Sequence, residues 1–203
     1  MNDPFVHLRT VSGYSLRHGV ATPAQLVETA VNLGQRALGL TDRDGVYGAV
    51  RFAQACQDAG IAPILGVDLG VAESPAPAAT RQTSGQRLSP ARGGSAVREE
   101  ASRLVVLARG ARGWAALCRL VSAAHLRGER ARPQVTRDLV AQYAADGHLS
   151  VLLGADSTVG QACRRRRLDL AAAELRWWHH HVGAPVYVEI CSHREVVGAL
   201  RSS

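Results

Sequence analysis

Lysine is absent from this sequence of 203 residues, and all 24 of its basic side chains are arginine. Methionine occurs once, at the first position, while alanine occurs 33 times. Such a composition reflects a GC-rich coding sequence, so abundant arginine is by itself a weak sign of nucleic-acid binding. Cysteine is sparse and scattered, at Cys56, Cys118, Cys163 and Cys191, without a CxxC pair. That spacing excludes a zinc ribbon and a disulfide framework and fits reduced, mostly buried thiols. No apolar run approaches the roughly 18 residues of a membrane-crossing helix. The start Met1-Asn2-Asp3-Pro4 lacks the basic-then-apolar pattern of a secretory signal, so the expected location is the cytoplasm. A GxSxG elbow, a Walker A loop and a GxGxxG fingerprint are also missing, which removes the commonest signatures of serine hydrolases and nucleotide binders.

What is present describes a folded chain. A hydrophobic fraction of 46% is too high for a wholly disordered polypeptide, and the length suits about one domain. The formal charge of +7 is unevenly placed. Residues 1–100 hold nine arginines and nine acids, whereas residues 101–203 hold fifteen arginines and eight acids. Arg164, Arg165, Arg166 and Arg167 form one uninterrupted run in the second half.

The first 72 residues alternate strand and helix signals. Phe5–Thr10 reads as a strand, and Thr22 as the cap of a helix carrying Pro23, Leu26, Val27 and Ala30. Ala37–Thr41 is a second strand, Val46–Ala59 a helix closed by Gly60, and Ile61–Val71 a third strand. Residues 73–101 break this rhythm, since eighteen of the 29 are Ala, Pro, Gly, Ser or Thr. Such a stretch cannot bury enough surface to offset its ordering entropy and is expected to be a disordered insertion. Alternation then resumes with strands at Arg103–Ala108, Leu149–Leu153 and Val186–Cys191. Helices are expected over Trp114–Leu126, from a Thr136 cap to Ala145, and over Leu168–His181. The pattern predicts an α/β fold of about six strands in a parallel sheet or barrel.

Parallel α/β folds place their sites at the carboxyl ends of strands. His7, Arg9 and Val11, the Asp42–Gly45 turn, Asp68, Ala155 and the stretch from Glu189 to His193 fall there. Asp68, His193 and, from the loop after the first strand, His18 are the side chains suited to a metal. The Asp42–Gly45 turn invites a calcium or phosphate reading, but it reads more simply as a strand-to-helix connection, with Asp44 capping the helix and Gly45 supplying the unusual dihedral. His179, His180 and His181 cannot readily chelate one ion from a helix, where consecutive residues point about 100° apart. The four-arginine run offers phosphate contacts or, equally simply, a solvated helix end.

Three segments together resemble a specific family: FVHLRTVSGYSL at 5–16, LTDRDGVYGAVRF at 40–52 and PILGVD at 63–68. WAALCRLVSAAHL at 114–126 and VEICSH at 188–193 extend the likeness. The chain resembles the amino-terminal PHP (polymerase and histidinol phosphatase) domain of bacterial C-family DNA polymerases, the polymerase III alpha subunits and above all their error-prone relatives. The resemblance implies a PHP-type distorted (β/α)7 barrel in two parts, 1–72 and 102–203, around the 73–101 insertion. It also implies incompleteness, since the closing strand and the Asp-x-His motif would lie beyond Ser203, as would the polymerase domains.

Active members of the family hold zinc or manganese ions in histidine and carboxylate ligands and activate water between them for phosphoester hydrolysis. At the matched positions this sequence departs from that set. The HxH pair falls on Arg9 and Val11, the next acid on His18, the histidine of the TDH motif on Arg43, and a later cysteine on Ala155. Asp68 replaces a glutamate and His193 is kept, so His18, Asp68 and His193 would be vestigial ligands. Arginines at ligand positions repel cations, and Asp68 is expected to pair with Arg9 or Arg43 instead. The resemblance thus implies no catalytic residue and no cofactor in this chain, with zinc or manganese only if the site still functions. Its expected role is a scaffold in damage-tolerant DNA synthesis, with DNA and the rest of a polymerase or repair machinery as partners and no membrane. The alternatives are a free-standing metal-dependent PHP phosphoesterase and a basic DNA-binding fragment.

Overall fold

Thr22 starts the first helix by a reciprocal hydrogen-bond exchange. Its hydroxyl accepts from the Gln25 amide at 3.3 Å, while Gln25 Oε1 accepts from the Thr22 amide at 2.9 Å. With Pro23 in the first turn, where its missing N–H costs nothing, this fixes α1 at Pro23–Asn32. A computed structural model describes residues 5–72, 102–127 and 133–190. After α1 come β1 (Ala37–Arg43), α2 (Ala49–Ala59, ended by Gly60), β2 (Ala62–Val71), β3 (Arg103–Ala108) and α3 (Gly110–Arg127). The rest of the chain adds β4 (Gln134–Val135), α4 (Arg137–Ala144), β5 (Leu149–Leu153), α5 (Thr158–Arg164), α6 (Leu168–His181) and β6 (Val186–Val188). The 73–101 insertion, Cys191 and His193 lie outside the described residues.

The strands form one sheet in the order β1-β2-β3-β5-β6, with β4 beside the end of β2. Among the described residues this sheet is open, running from β1 to β6. The expected all-parallel arrangement is corrected at β3, which runs antiparallel to both β2 and β5. No helix lies between β2 and β3 in the sequence reading, only the 73–101 stretch. An antiparallel neighbour needs no crossover helix, so the direction of β3 is compatible with that reading.

Alternation along the strands sends two sets of side chains to opposite faces. Val67, Leu69, Leu104, Val106, Val151 and Leu153 face α3, α4 and α6 and form the main core, with Trp178 buried inside it. Leu38 and Leu40 continue that face against α1 and α2, around Phe52 and Cys56. On the other face Gly66, Asp68 and Gly70 lie opposite Leu107, Val105 and Arg103. Only a small cluster, Val105, Leu107 and Leu152, is apolar there. Among the described residues no helix is long and apolar enough to cross a membrane.

Two local expectations are revised. Phe5–Thr10 is extended but is not a strand. It lies against β1 through the Gly39 amide donating to His7 O at 2.7 Å and the Thr41 amide donating to Thr10 O at 2.8 Å. Two residues of β1 thus span three of the segment, which breaks a regular ladder. This crossing is close: a Cβ on Gly39 would sit 2.3 Å from the Leu8 carbonyl oxygen. In the 42–45 turn the positive φ belongs to Asp44 (φ 58) and not to Gly45. Asp44 also does not cap α2, whose N-cap is Gly48 without a side-chain bond. Aspartate is among the residues that tolerate the left-handed region, and its carboxylate is engaged elsewhere.

Two outcomes follow from this packing. Gly39→Ala should lower stability by about 1–3 kcal/mol in urea denaturation, since backbone must move to admit the methyl group. Burial pushes the Cys56 thiol up from 9.0 to about 11. A raised folded-state value keeps its contribution intact below the unfolded pKa, and that contribution is lost as pH rises through about 11. Native-state alkylation followed by peptide mass spectrometry should therefore modify exposed Cys163 readily and Cys56 only after unfolding.

Candidate functional site

The carboxyl ends of β1, β2, β5 and β6 meet the amino end of β3 at one edge of the sheet. Because β3 is antiparallel, its first residue, Arg103, arrives where the parallel strands finish. Asp68, 2% exposed, sits between two guanidinium groups. Arg9 Nη2 donates to Asp68 Oδ2 at 3.0 Å, and Arg103 Nε donates to Asp68 Oδ1 at 2.8 Å. Arg103 Nη2 also donates to the Asp68 carbonyl at 2.7 Å and to Asp44 Oδ1 at 2.9 Å.

Arg9 extends the network across the sheet. Its Nη1 donates to Glu189 Oε2 at 3.1 Å, and its Nη2 lies 3.6 Å from Asp156 Oδ2. Gly154 leaves room for this approach, since a Cβ there would come within 2.4 Å of Glu189 Oε2 and displace that carboxylate. Burial alone would lower the Arg9 pKa, but Asp68 and Glu189 outweigh it and hold the guanidinium above its ordinary value. Arg9 is thus a fixed cation ringed by three carboxylates from β2, the β5–α5 turn and the end of β6.

Beside this centre Asp42 organises the 12–20 loop. It is 2% exposed and accepts from the Ser12 amide at 2.7 Å, the Ser12 hydroxyl at 2.8 Å and the Ser15 hydroxyl at 2.7 Å. The Arg43 amide donates to Ser15 Oγ at 2.8 Å. Buried carboxylates need such donors, since an unsatisfied one would be strongly penalised.

The residues singled out from sequence distribute unevenly. Asp68 and Arg9 come together. Arg43 turns away from Asp68 and reaches the exposed His18 ring, with Nη1 2.9 Å from Nδ1. Val11 is half-buried and brings no polar side chain. Ala155 is exposed and offers only its carbonyl, which accepts from Arg164. His193 lies outside the described residues. In the arginine run, Arg164 also stands 3.9 Å from Asp156 and Arg167 is clamped on Asp169 at 2.7 Å. The run spans the α5–α6 connection. The histidine triplet ends α6, where His181 stacks on Trp177 at 4.7 Å. Arg103 and Asp156 are the network residues that the sequence reading misses, and Asp44 joins it through Arg103 and not as a helix cap. Arg103 was hidden because a site at strand ends, read for parallel strands, ignores the start of an antiparallel one.

The donor set does not suit a cluster of divalent cations. Asp68, Asp156 and Glu189 already surround a guanidinium, Asp44 is bonded to a second one, and Arg43 occupies the ring of His18. Among the described residues no three His, Cys, Asp or Glu side chains are grouped to hold a metal ion.

The network predicts unequal costs for its acids. Asp68→Asn weakens the buried centre of two ion pairs and should lose about 3 kcal/mol of stability. Asp156→Asn removes a half-exposed, longer contact and should lose less than about 1 kcal/mol. Equilibrium denaturation of the two variants at one pH and salt concentration measures the difference.

Comparison with known proteins places the chain. A sequence model of the PHP domain matches residues 7–193. The error-prone DNA polymerase of Mycolicibacterium paratuberculosis is 35% identical over 193 residues, which are 94% of this chain and 16% of that protein. The error-prone DNA polymerase of Mycobacterium tuberculosis is 38% identical over 151 residues, covering 74% and 12%. The DNA polymerase III subunit alpha of Treponema pallidum is 36% identical over 140 residues, covering 69% and 11%. The chain thus spans about one sixth, or less, of the length of these relatives. Among solved structures, a Chromobacterium violaceum amidohydrolase with bound sulfate and no metal aligns with a TM-score of 0.48 and 16% identity, over 90% of this chain and 75% of that one. With a match from the extended segment at His7 to His193, the chain belongs to the PHP domain family.

Proposed function

We propose that this chain serves as the PHP module of an error-prone DNA polymerase, acting as a structural scaffold in damage-tolerant DNA synthesis and not as a phosphoesterase. The observation that carries the reading is Arg9 at the centre of the strand-end edge, donating to Asp68 and Glu189. A guanidinium cannot be displaced from that position by a divalent cation without leaving its own charge unpaired. It also cannot activate water as a metal does. The proposed setting is a cytoplasmic module, interrupted by the 73–101 insertion, with DNA and the remainder of a polymerase as partners; the likeness to error-prone polymerases supports it. The run Arg164–Arg167 is the candidate phosphate contact of that module.

On this reading the purified chain releases no p-nitrophenol from p-nitrophenyl phosphate and does not shorten single-stranded DNA when manganese or zinc is supplied. Elemental analysis after dialysis finds both metals well below one equivalent. Metal-dependent hydrolysis that is lost on Asp68→Asn would establish the phosphoesterase alternative instead.

A further inference from the structure

A cavity of about 340 Å³ lies between the ends of β2 and β5, the start of β3 and the helices α4, α5 and α6. That is the small end of the range for metabolite pockets, roughly 300–1,000 Å³. Val71, Ala72, Leu104 and Leu153 give it apolar walls beside the ring of Trp178. The polar side chains that complete the lining among the described residues are largely committed to one another or to the backbone. Glu174 accepts from Arg137 Nη1 at 3.0 Å on one oxygen and from Thr158 Oγ1 at 3.2 Å on the other. The Ser157 hydroxyl donates to Gly154 O at 2.6 Å, and the Ser102 hydroxyl donates to Asp156 O. Arg103 is bonded to Asp68 and Asp44.

Two donors in this lining are left over. Trp178 Nε1 and Arg137 Nε are both buried and have no hydrogen-bond partner among the described residues. Trp178 as a whole is 2% exposed. A buried indole N–H ordinarily has a partner, and one on a side chain that lines a cavity can receive it from the occupant. Arg137 is not free to swing toward another acceptor. Glu174 holds its Nη1, and its guanidinium lies 4.3 Å over the Trp177 ring. Glu174 and Trp178 stand four residues apart on α6, so the ion pair and the unpartnered indole share one helix face.

Unpaired donors select a ligand with an acceptor end. Arg137 is already neutralised by Glu174, and Arg103 by Asp68 and Asp44, which disfavours a dianion such as phosphate. A single carboxylate supplies two acceptor oxygens for the two donors, and the aliphatic walls suit an apolar body. We propose that this cavity binds a small monocarboxylate with a compact apolar body, its carboxylate accepting from Trp178 Nε1 and Arg137 Nε. The site is independent of the scaffold reading, since it uses neither Arg9 nor Asp68.

The test is a benzoate titration of the isotope-labelled full chain, followed by nuclear magnetic resonance at the indole N–H signals. The chain has three tryptophans. Trp114→Phe and Trp177→Phe identify the Trp178 signal by elimination, without altering the buried ring. That signal should move downfield and saturate, with a Kd of about 1 mM or tighter. Benzyl alcohol, which keeps the body and lacks the carboxylate, should bind about tenfold more weakly. Arg137→Lys keeps the charge beside Glu174 and removes Nε, and should weaken benzoate about fivefold or more in a chain that still melts cooperatively. A Trp178 signal that stays in place up to about 10 mM benzoate leaves the cavity to water and overturns the proposal. A response that inorganic phosphate matches, or that Arg137→Lys leaves intact, overturns it as well.

Discussion

Asp68 accepts one guanidinium on each carboxylate oxygen, and much of the strand-end edge is arranged around that fact. Arg9 and Arg103 come from opposite sides of the sheet face and meet on β2. Burying one carboxylate with two arginines leaves one positive charge in excess, and Glu189, Asp156 and Asp44 more than offset it from outside. With Arg164 on Asp156, the edge joins three cations and four anions in one network of ion pairs. In a low-dielectric setting such a network is tolerable only when every member is satisfied. Arg103 meets that demand by bonding a side chain, a carbonyl and a second carboxylate together. Gly154 meets it by leaving room for Glu189 to approach Arg9.

The neighbouring carboxylate solves the same problem differently. Asp42 has three neutral donors from Ser12 and Ser15 in place of arginines. That choice confines it to shaping the 12–20 loop and keeps it apart from the charged network one residue away. The two buried aspartates thus divide the edge. One holds the sheet face together through ions, and the other builds a rigid loop through hydroxyls. Arg43 links these halves, with its amide on Ser15 and its guanidinium on His18.

Much of the fold was legible from the sequence because periodicity and caps agree. Thr22, Thr136 and Gly60 mark helix ends where they were read, and β3, β5 and α6 keep their predicted bounds. Failures cluster where a neighbour overrides local pattern. Phe5–Thr10 has strand composition, but the close crossing over Gly39 prevents a regular ladder. β4 is two residues long and exists only because the end of β2 is available to pair. α5 escaped notice since its seven residues lack a clear apolar stripe. At the site, Asp68 could be placed from the resemblance. Its second arginine partner depended on the direction of β3, which local composition does not encode. The turn residue Asp44 was misassigned for a related reason: its carboxylate belongs to Arg103, 59 positions away, and not to the helix that follows it.

The pairing of Arg9 with Glu189 joins residues 180 positions apart. During synthesis the chain emerges from its amino end, so Arg9 and Asp68 are available long before Glu189 exists. Until then the guanidinium has only part of its counter-charge, and the strand-end edge remains open to water. Closing so long a loop carries an entropic cost that early local contacts do not. The ionic ring can therefore be completed only once Glu189, which follows β6, is in place. A chain stopped before that point leaves Arg9 with part of its counter-charge missing.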